Sequence, residues 1–187
     1  MAIGRSYGRP PLSTLIYIYE KVLRGIPLLV IFFLIFFGFP QFGITLGAFT
    51  AAILGLGLRS TAYQAQIFRS AINSIPSGQM TAARAIGMSR LKAIRYIILP
   101  QVLRLSIPGW SNEFTIVLKD TSIAFSIGVI ELMRRGRHIY AREPDLVLWV
   151  LFLIAAIYFI MVFATNKSLG YLEKKYKMSG FEVSIDE

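Results

Sequence analysis

Residues 146–165 form a stretch of twenty residues without a single charged side chain. A helix of about twenty apolar residues, rising about 1.5 Å each, matches the ~30 Å hydrocarbon core of a bilayer. Inside that layer each backbone N–H and C=O must be satisfied within the segment, which leaves the helix as the natural solution. Other parts of the chain repeat the pattern less cleanly. Residues 28–37 are unbroken apolar, in a first span with its core at 26–39. Before it, Leu12, Leu15, Ile16, Tyr19, Val22 and Leu23 recur at helical spacing with polar residues between them. That spacing predicts an amphipathic helix along the membrane surface, lending a turn or two to the first span. A turn signal at 38–43 leads to a second span at 44–68, with no acid and one base, Arg59. A third span falls at roughly 105–126, interrupted by Pro108, Asn112 and Glu113. The expected fold class is all-α: a polytopic membrane helical bundle with four spans, forming one transmembrane domain over residues 1–187.

Composition closes off the alternatives. Hydrophobic residues make up 55% of the chain and charged ones 16%, against about 25% charged in a soluble globule. There is no cysteine and one histidine, His138, so thiolate chemistry, a histidine metal cage and a Ser-His-Asp triad have no material, and no cofactor is expected. The first ten residues are polar and basic, unlike a signal peptide. The net charge of +10 would suggest nucleic acid in a soluble protein; with four spans it points instead to basic cytoplasmic loops. Residues 1–24 carry four bases, 69–104 six and 166–187 four, against five in 119–145. Lys and Arg favour the cytoplasm, so both termini and the 69–104 loop are expected there, with 119–145 outside.

The 69–104 loop is far longer than a plain connector of about 2–8 residues. Ser77 can cap a helix to about Ile86, Gly87 can end it in a left-handed turn, and Ser89 can cap a second helix that Pro100 stops. Two helices joined at a glycine elbow suggest a docking element. Ala82-Ala83, then Gly87, then nine residues, then Ile97-x-Leu99-Pro100 resembles the EAA signature of the permease subunits of ABC importers. One position departs, with Thr81 where that family usually has Glu. Arg24-Gly-Ile-Pro-Leu-Leu29 is similar to the R-G-T-P-L-L of the polar amino acid branch. Asn112 followed by Lys119-Asp120-Thr121-Ser122 resembles the same branch.

The resemblance implies a MetI-like transmembrane domain, usually of five spans, so that an N-terminal span is either absent here or precedes this chain. It implies a permease of an importer of polar amino acids, itself no enzyme. The implied partners are ABC ATPase subunits gripping the loop at Thr81, Ala82, Ala83, Gly87, Ile97, Leu99 and Pro100, a second permease subunit, and an external solute-binding protein. Candidate pathway residues are Arg59, Asn112, Glu113, Lys119, Asp120 and Thr121.

Intramembrane charges are costly and mark a pathway or a pair. Arg59 and Glu113 therefore either meet an amino acid zwitterion or serve as a structural ion pair, or snorkel to an interface. Asn112 can cap a broken helix or line a cavity, and Asp120-Thr121-Ser122 can cap a short helix or gate. Arg134, Arg135, Arg137 and His138 form either a solvated face or a contact for the binding protein. Competing readings are a permease for another small polar solute, a membrane-embedded enzyme and a passive channel. The ten acids are scattered, which disfavours a metal or general-base centre, and a channel has no use for a docking loop.

Overall fold

The computed structural model describes residues 1–176, in which there are helices and no strand. The helices are α1 (Ala2–Tyr7), α2 (Leu12–Gly25), α3 (Leu28–Phe33), α4 (Ala48–Ser74), α5 (Ser77–Ala85), α6 (Arg90–Ala93), α7 (Leu99–Leu105), α8 (Ile107–Asp120), α9 (Leu132–Tyr140) and α10 (Val147–Tyr176). The all-α expectation holds. Among the described residues one helical stretch, Pro144–Tyr176, is both long and apolar enough to cross a bilayer, and the bent pair of α2 with Leu28–Phe42 forms a second candidate. At 27 residues α4 has the length, but its polar residues dilute the apolar signal.

The first span does not borrow from α2. The two segments meet at 104°, because Ile26 precedes a proline and is held extended at φ −95°, ψ 129°. The span gains length at its other end, where a π-helical turn (Leu34–Gly38) and a 3₁₀ turn (Phe39–Phe42) continue α3 until Gly43 ends it at φ +78°. The third span, α8 followed by a 3₁₀ segment at Thr121–Ile127, breaks at Ser106 and not at Asn112 or Glu113, which lie inside a continuous helix. Helix α10 passes Thr165 unbroken to Tyr176, so the first part of the 166–187 segment is helical, and residues 177–187 lie outside the described residues.

In lipid, helices are held by close packing more than by burial from water, and small residues permit it. The buried face of α4 carries Ala51, Ala52, Gly55, Ser60, Ala62 and Ala65. Phe32, fully buried, fills the space over Gly55, together with Leu28, Ile31 and Ile35 of the first span and Ala124 and Ile127 of the 3₁₀ segment. A Cβ on Gly55 would come within 2.6 Å of the Phe32 ring. Gly55→Val should therefore lower stability by about 1–3 kcal/mol through overpacking, read as a drop in the melting temperature of the detergent-purified protein. Gly57→Ala, where a Cβ meets nothing within 4 Å, should melt like the parent.

Two details of the 69–104 loop differ from expectation. Ser77 is the first residue of α5, with Pro76 as its cap and no side-chain cap bond; it sits one position too late for its hydroxyl to serve as an N-cap. Pro100 does not stop the second helix. A π-helical turn at Ile94–Ile98 precedes it, and α7 continues through Pro100 to Leu105. The wider turn makes room for the proline ring, and the Gln101 side-chain amide donates to the Ile97 carbonyl at 2.7 Å. Ser89 does cap α6, accepting from the Lys92 N–H at 3.3 Å.

The polar N-terminal residues also form structure that the spacing did not announce. Ala2 of α1 is buried against Ala71 and Ile72 of α4, Ile75 just after it, and Ile98 and Val102 of the loop, and the Arg90 guanidinium lies 5.4 Å over the Tyr7 ring.

Candidate transport site

Helix α4 carries its polar side chains at i, i+4 spacing, which places them on adjoining strips of one helix. Arg59 and Tyr63 form one strip, Ser60 and Gln64 the next. Arg59 Nη1 donates to Asp120 Oδ2 at the end of α8 at 2.5 Å, with both side chains about one-fifth exposed (19% and 20%). Its guanidinium also lies 4.8 Å over the Tyr63 ring, and Arg24 from α2 approaches the same ring at 5.2 Å. Arg24 and Arg69 both donate to Gln66 Oε1, at 3.2 and 2.7 Å. A ladder of guanidinium groups and one aromatic thus runs along α4 from the Asp120 pair toward the 69–104 loop.

Glu113 of α8 is 3% exposed. Its neighbours are the Ser60 hydroxyl and, within electrostatic reach, Arg59 and Asp120. Its Oε1 has no hydrogen-bond partner among the described residues, and Gln64 donates to Ser60 Oγ at 3.1 Å beside it. Of the candidate pathway residues, the structure therefore brings Arg59, Glu113 and Asp120 together and leaves the others out. Asn112 and Lys119 are exposed on this chain, and Asn112 caps nothing, being within α8. Asp120 makes no cap bond, while Thr121 donates to the Leu118 carbonyl at 2.7 Å, closing the end of α8. Tyr63, Ser60, Gln64 and Arg24 were not among the expected pathway residues; the i, i+4 repeat through Arg59 and Ser60 was the available signal.

The loop places its signature residues on two faces. Ala83 is buried at 4% with Ala93, Ile94 and Ile98, fixing α5 to the second helix. Thr81, Ala82 and Gly87 are exposed, with the Thr81 hydroxyl turned to the Ser77 carbonyl at 3.3 Å. Gly87 has φ +85°, and Ile86 and Leu91 on either side of it are 79% and 75% exposed. Ile97 and Leu99 are half-buried, and Pro100 lines an open groove of about 330 Å³ with Gln79, Tyr96, Ile97, Gln101 and Arg104. On the far side of the chain, Glu131 caps α9 through the N–H groups of Met133 and Arg134. A Cβ on Gly136 would come within 3.1 Å of Val150 and closer still to Ile154 of α10, so α9 packs tightly on α10 there, with Arg135, Arg137 and His138 exposed. Among the described residues no group of His, Asp and Glu could hold a metal ion.

The family described as the inner membrane component of binding-protein-dependent transport systems matches residues 1–178. The chain is 39% identical over 174 residues to the L-cystine transport system permease of Bacillus subtilis (strain 168), covering 93% of this chain and 74% of that one. It is 35% identical to the glutamine transport system permease of Escherichia coli (strain K12), over 94% of this chain and 80% of that protein. A crystal structure of an amino acid ABC transporter with histidines superposes with a TM-score of 0.86 at 36% identity, over 93% of this chain and 81% of the other. The methionine transporter MetNI, at 19% identity and a TM-score of 0.73, shares the fold. The chain belongs to the family of inner membrane components of binding-protein-dependent ABC transport systems, as a transport subunit and not an enzyme, in the membrane and working with an ATPase and a substrate-binding protein.

Proposed function

We propose that this chain forms the amino acid pathway of an ATP-driven importer and takes its driving motion through the 77–99 loop. The observation that carries the coupling role is the Gly87 elbow, which presents Ile86 and Leu91 to solvent on a loop otherwise rich in bases. Large exposed apolar groups at a rigid tip mark a docking surface, and the buried Ala83–Ile98 face makes α5 and the second helix one body able to transmit a push. The permeases named above, for cystine and glutamine, support an amino acid as cargo. The cluster of Arg59, Glu113 and Asp120 supplies both signs of charge that a zwitterion requires. A second permease, identical or paralogous, completes the pathway, and the exposed α9 cations face the binding protein. The assembled complex, with its ATPase and binding protein in proteoliposomes, should import labelled amino acids only with ATP. ATP-independent flux, or failure of the ATPase to co-purify, would sink this reading.

The charge distribution further supports a multi-pass topology with both termini of this chain in the cytoplasm. The chain has no cysteine, so single cysteines can report it. An impermeant maleimide added outside cells should label His138→Cys, and should label Gly78→Cys only after permeabilisation. Labelling of Gly78→Cys in intact cells would reverse the orientation.

A further inference from the structure

We propose that the shelf formed by α1 and α2 is a docking site for an anionic phospholipid, its phosphate held between Arg5 and Lys21 and its acyl chains laid along Leu15, Ile18 and Val22. This uses the membrane placement of the chain and no reading of its cargo. Helix α2 has three faces. Ile16 and Glu20 lie on the buried one. Leu15, Ile18 and Val22, spaced at i, i+3 and i+7, form an exposed apolar strip. Tyr17 and Lys21, one turn apart, are exposed on the third face. Because α2 meets the first span at 104°, it runs close to the plane of a membrane that the span crosses. An in-plane helix buries its apolar face at the boundary of headgroups and acyl chains and keeps its cations among the headgroups.

The cations select the headgroup. The Arg5 guanidinium lies 4.5 Å from the centre of the Tyr17 ring and Lys21 Nζ lies 5.7 Å from it, so one ring gathers two positive charges from two helices. Neither makes an ion pair among the described residues. Like charges this close repel, and the sequence around them offers no exposed counter-charge: Glu20 is the sole acid in residues 1–112, and it is buried. Arg5 Nη1 donates to the Ser13 carbonyl at 3.2 Å, which ties α1 to α2, while its Nε–H is buried without a partner among the described residues. A guanidinium has five N–H donors, so donors remain for a phosphate, an anion that both a guanidinium and an ammonium recognise. The apolar strip on the same helix decides the source of that phosphate. A soluble anion leaves Leu15, Ile18 and Val22 uncovered, whereas a phospholipid covers them with the chains its headgroup carries.

The test is lipid binding to the detergent-purified permease–ATPase complex, with bound dioleoyl phosphatidylglycerol and dioleoyl phosphatidylcholine counted by native mass spectrometry. A basic residue at an anionic surface strengthens binding about fivefold, so two should favour phosphatidylglycerol over phosphatidylcholine by about 25-fold. Lys21→Gln and Arg5→Gln should each cut that preference about fivefold, and Lys21→Arg should keep it. Thermal melts check the fold, and Lys21→Gln, at an exposed position, decides the matter if Arg5→Gln loosens α1. Arg142→Gln, which removes an exposed cation outside the shelf, should leave the preference intact. Glycerol 3-phosphate, a headgroup phosphate without chains, should not displace the lipid. Equal binding of the two lipids by the parent, or an intact preference in a folded Lys21→Gln, would overturn the inference. So would an equal loss in Arg142→Gln, which marks diffuse attraction, or displacement by glycerol 3-phosphate, which marks a site for soluble phosphate. Binding of neither lipid would overturn it too, by showing that another subunit covers the shelf. Each of these outcomes leaves the importer reading in place.

Discussion

Gly87→Val should leave the permease in the membrane and reduce ATP-driven uptake to near background. Gly87 sits at φ +85°, where an L-residue suffers a clash of its Cβ with the neighbouring backbone carbonyl, costing about 1–2 kcal/mol, and a β-branched side chain fits worst. A Cβ there meets no other atom within 4 Å, so the penalty is one of backbone conformation and not of crowding. The elbow is solvent-exposed and can relieve the strain by moving to φ < 0, which swings α5 away from α6. Ile86 and Leu91 would then no longer be presented together. The spans make no use of this turn, so insertion should be spared. Gly87→Asn separates conformation from bulk, since Asn tolerates the left-handed region; it should keep most of the uptake and most of the ATPase association. Normal coupling in Gly87→Val would show that the elbow's angle does not matter, and equal loss in Gly87→Asn would show that the glycine is needed for close approach by a partner.

The parts of this architecture legible in the sequence are those set by local chemistry. The 146–165 span follows from length and apolarity alone, and the elbow from a glycine between two helical patterns. What escaped depended on distant or unusual partners. Pro100 reads as a stop because proline lacks an N–H, and the π turn that admits it, Ile94–Ile98, leaves no compositional trace. Helix α1 reads as a polar terminus, although Ala2 packs on Ala71 and Ile98; one small buried residue gives no periodicity. Within the site, Arg59 and Glu113 stood out because charges are rare in spans. The partner of Arg59 did not, because Asp120 lies 61 residues away in a polar run that reads as a helix cap.

That partner changes what a single substitution should do. Asp120→Asn leaves the Arg59 guanidinium without its counter-charge at the junction of α4, α8 and the 3₁₀ segment. Breaking one side of a largely buried pair costs about 3–5 kcal/mol, and with side chains 19% and 20% exposed the lower figure applies. At about 2–4 °C per kcal/mol for a chain of this size, the melting temperature should fall by roughly 6–12 °C. Arg59→Gln, which strands Asp120, should behave alike. The double mutant Arg59→Gln/Asp120→Asn removes both charges together with their desolvation cost and should recover at least half of the loss. Glu113→Gln provides the contrast: it neutralises a buried carboxylate that forms no ion pair among the described residues, so stability should hold or rise. The stable double mutant then separates structure from transport. If it imports normally, the pair serves only to fasten α4 to the end of α8. If it is stable but inactive, the same two side chains that close the junction are also those the cargo must engage, which is the outcome expected from donors left on Arg59 beyond Nη1. Singles that melt like the parent would mean that water or lipid headgroups already screen the pair, and the junction would have to be held by the small-residue face of α4 alone.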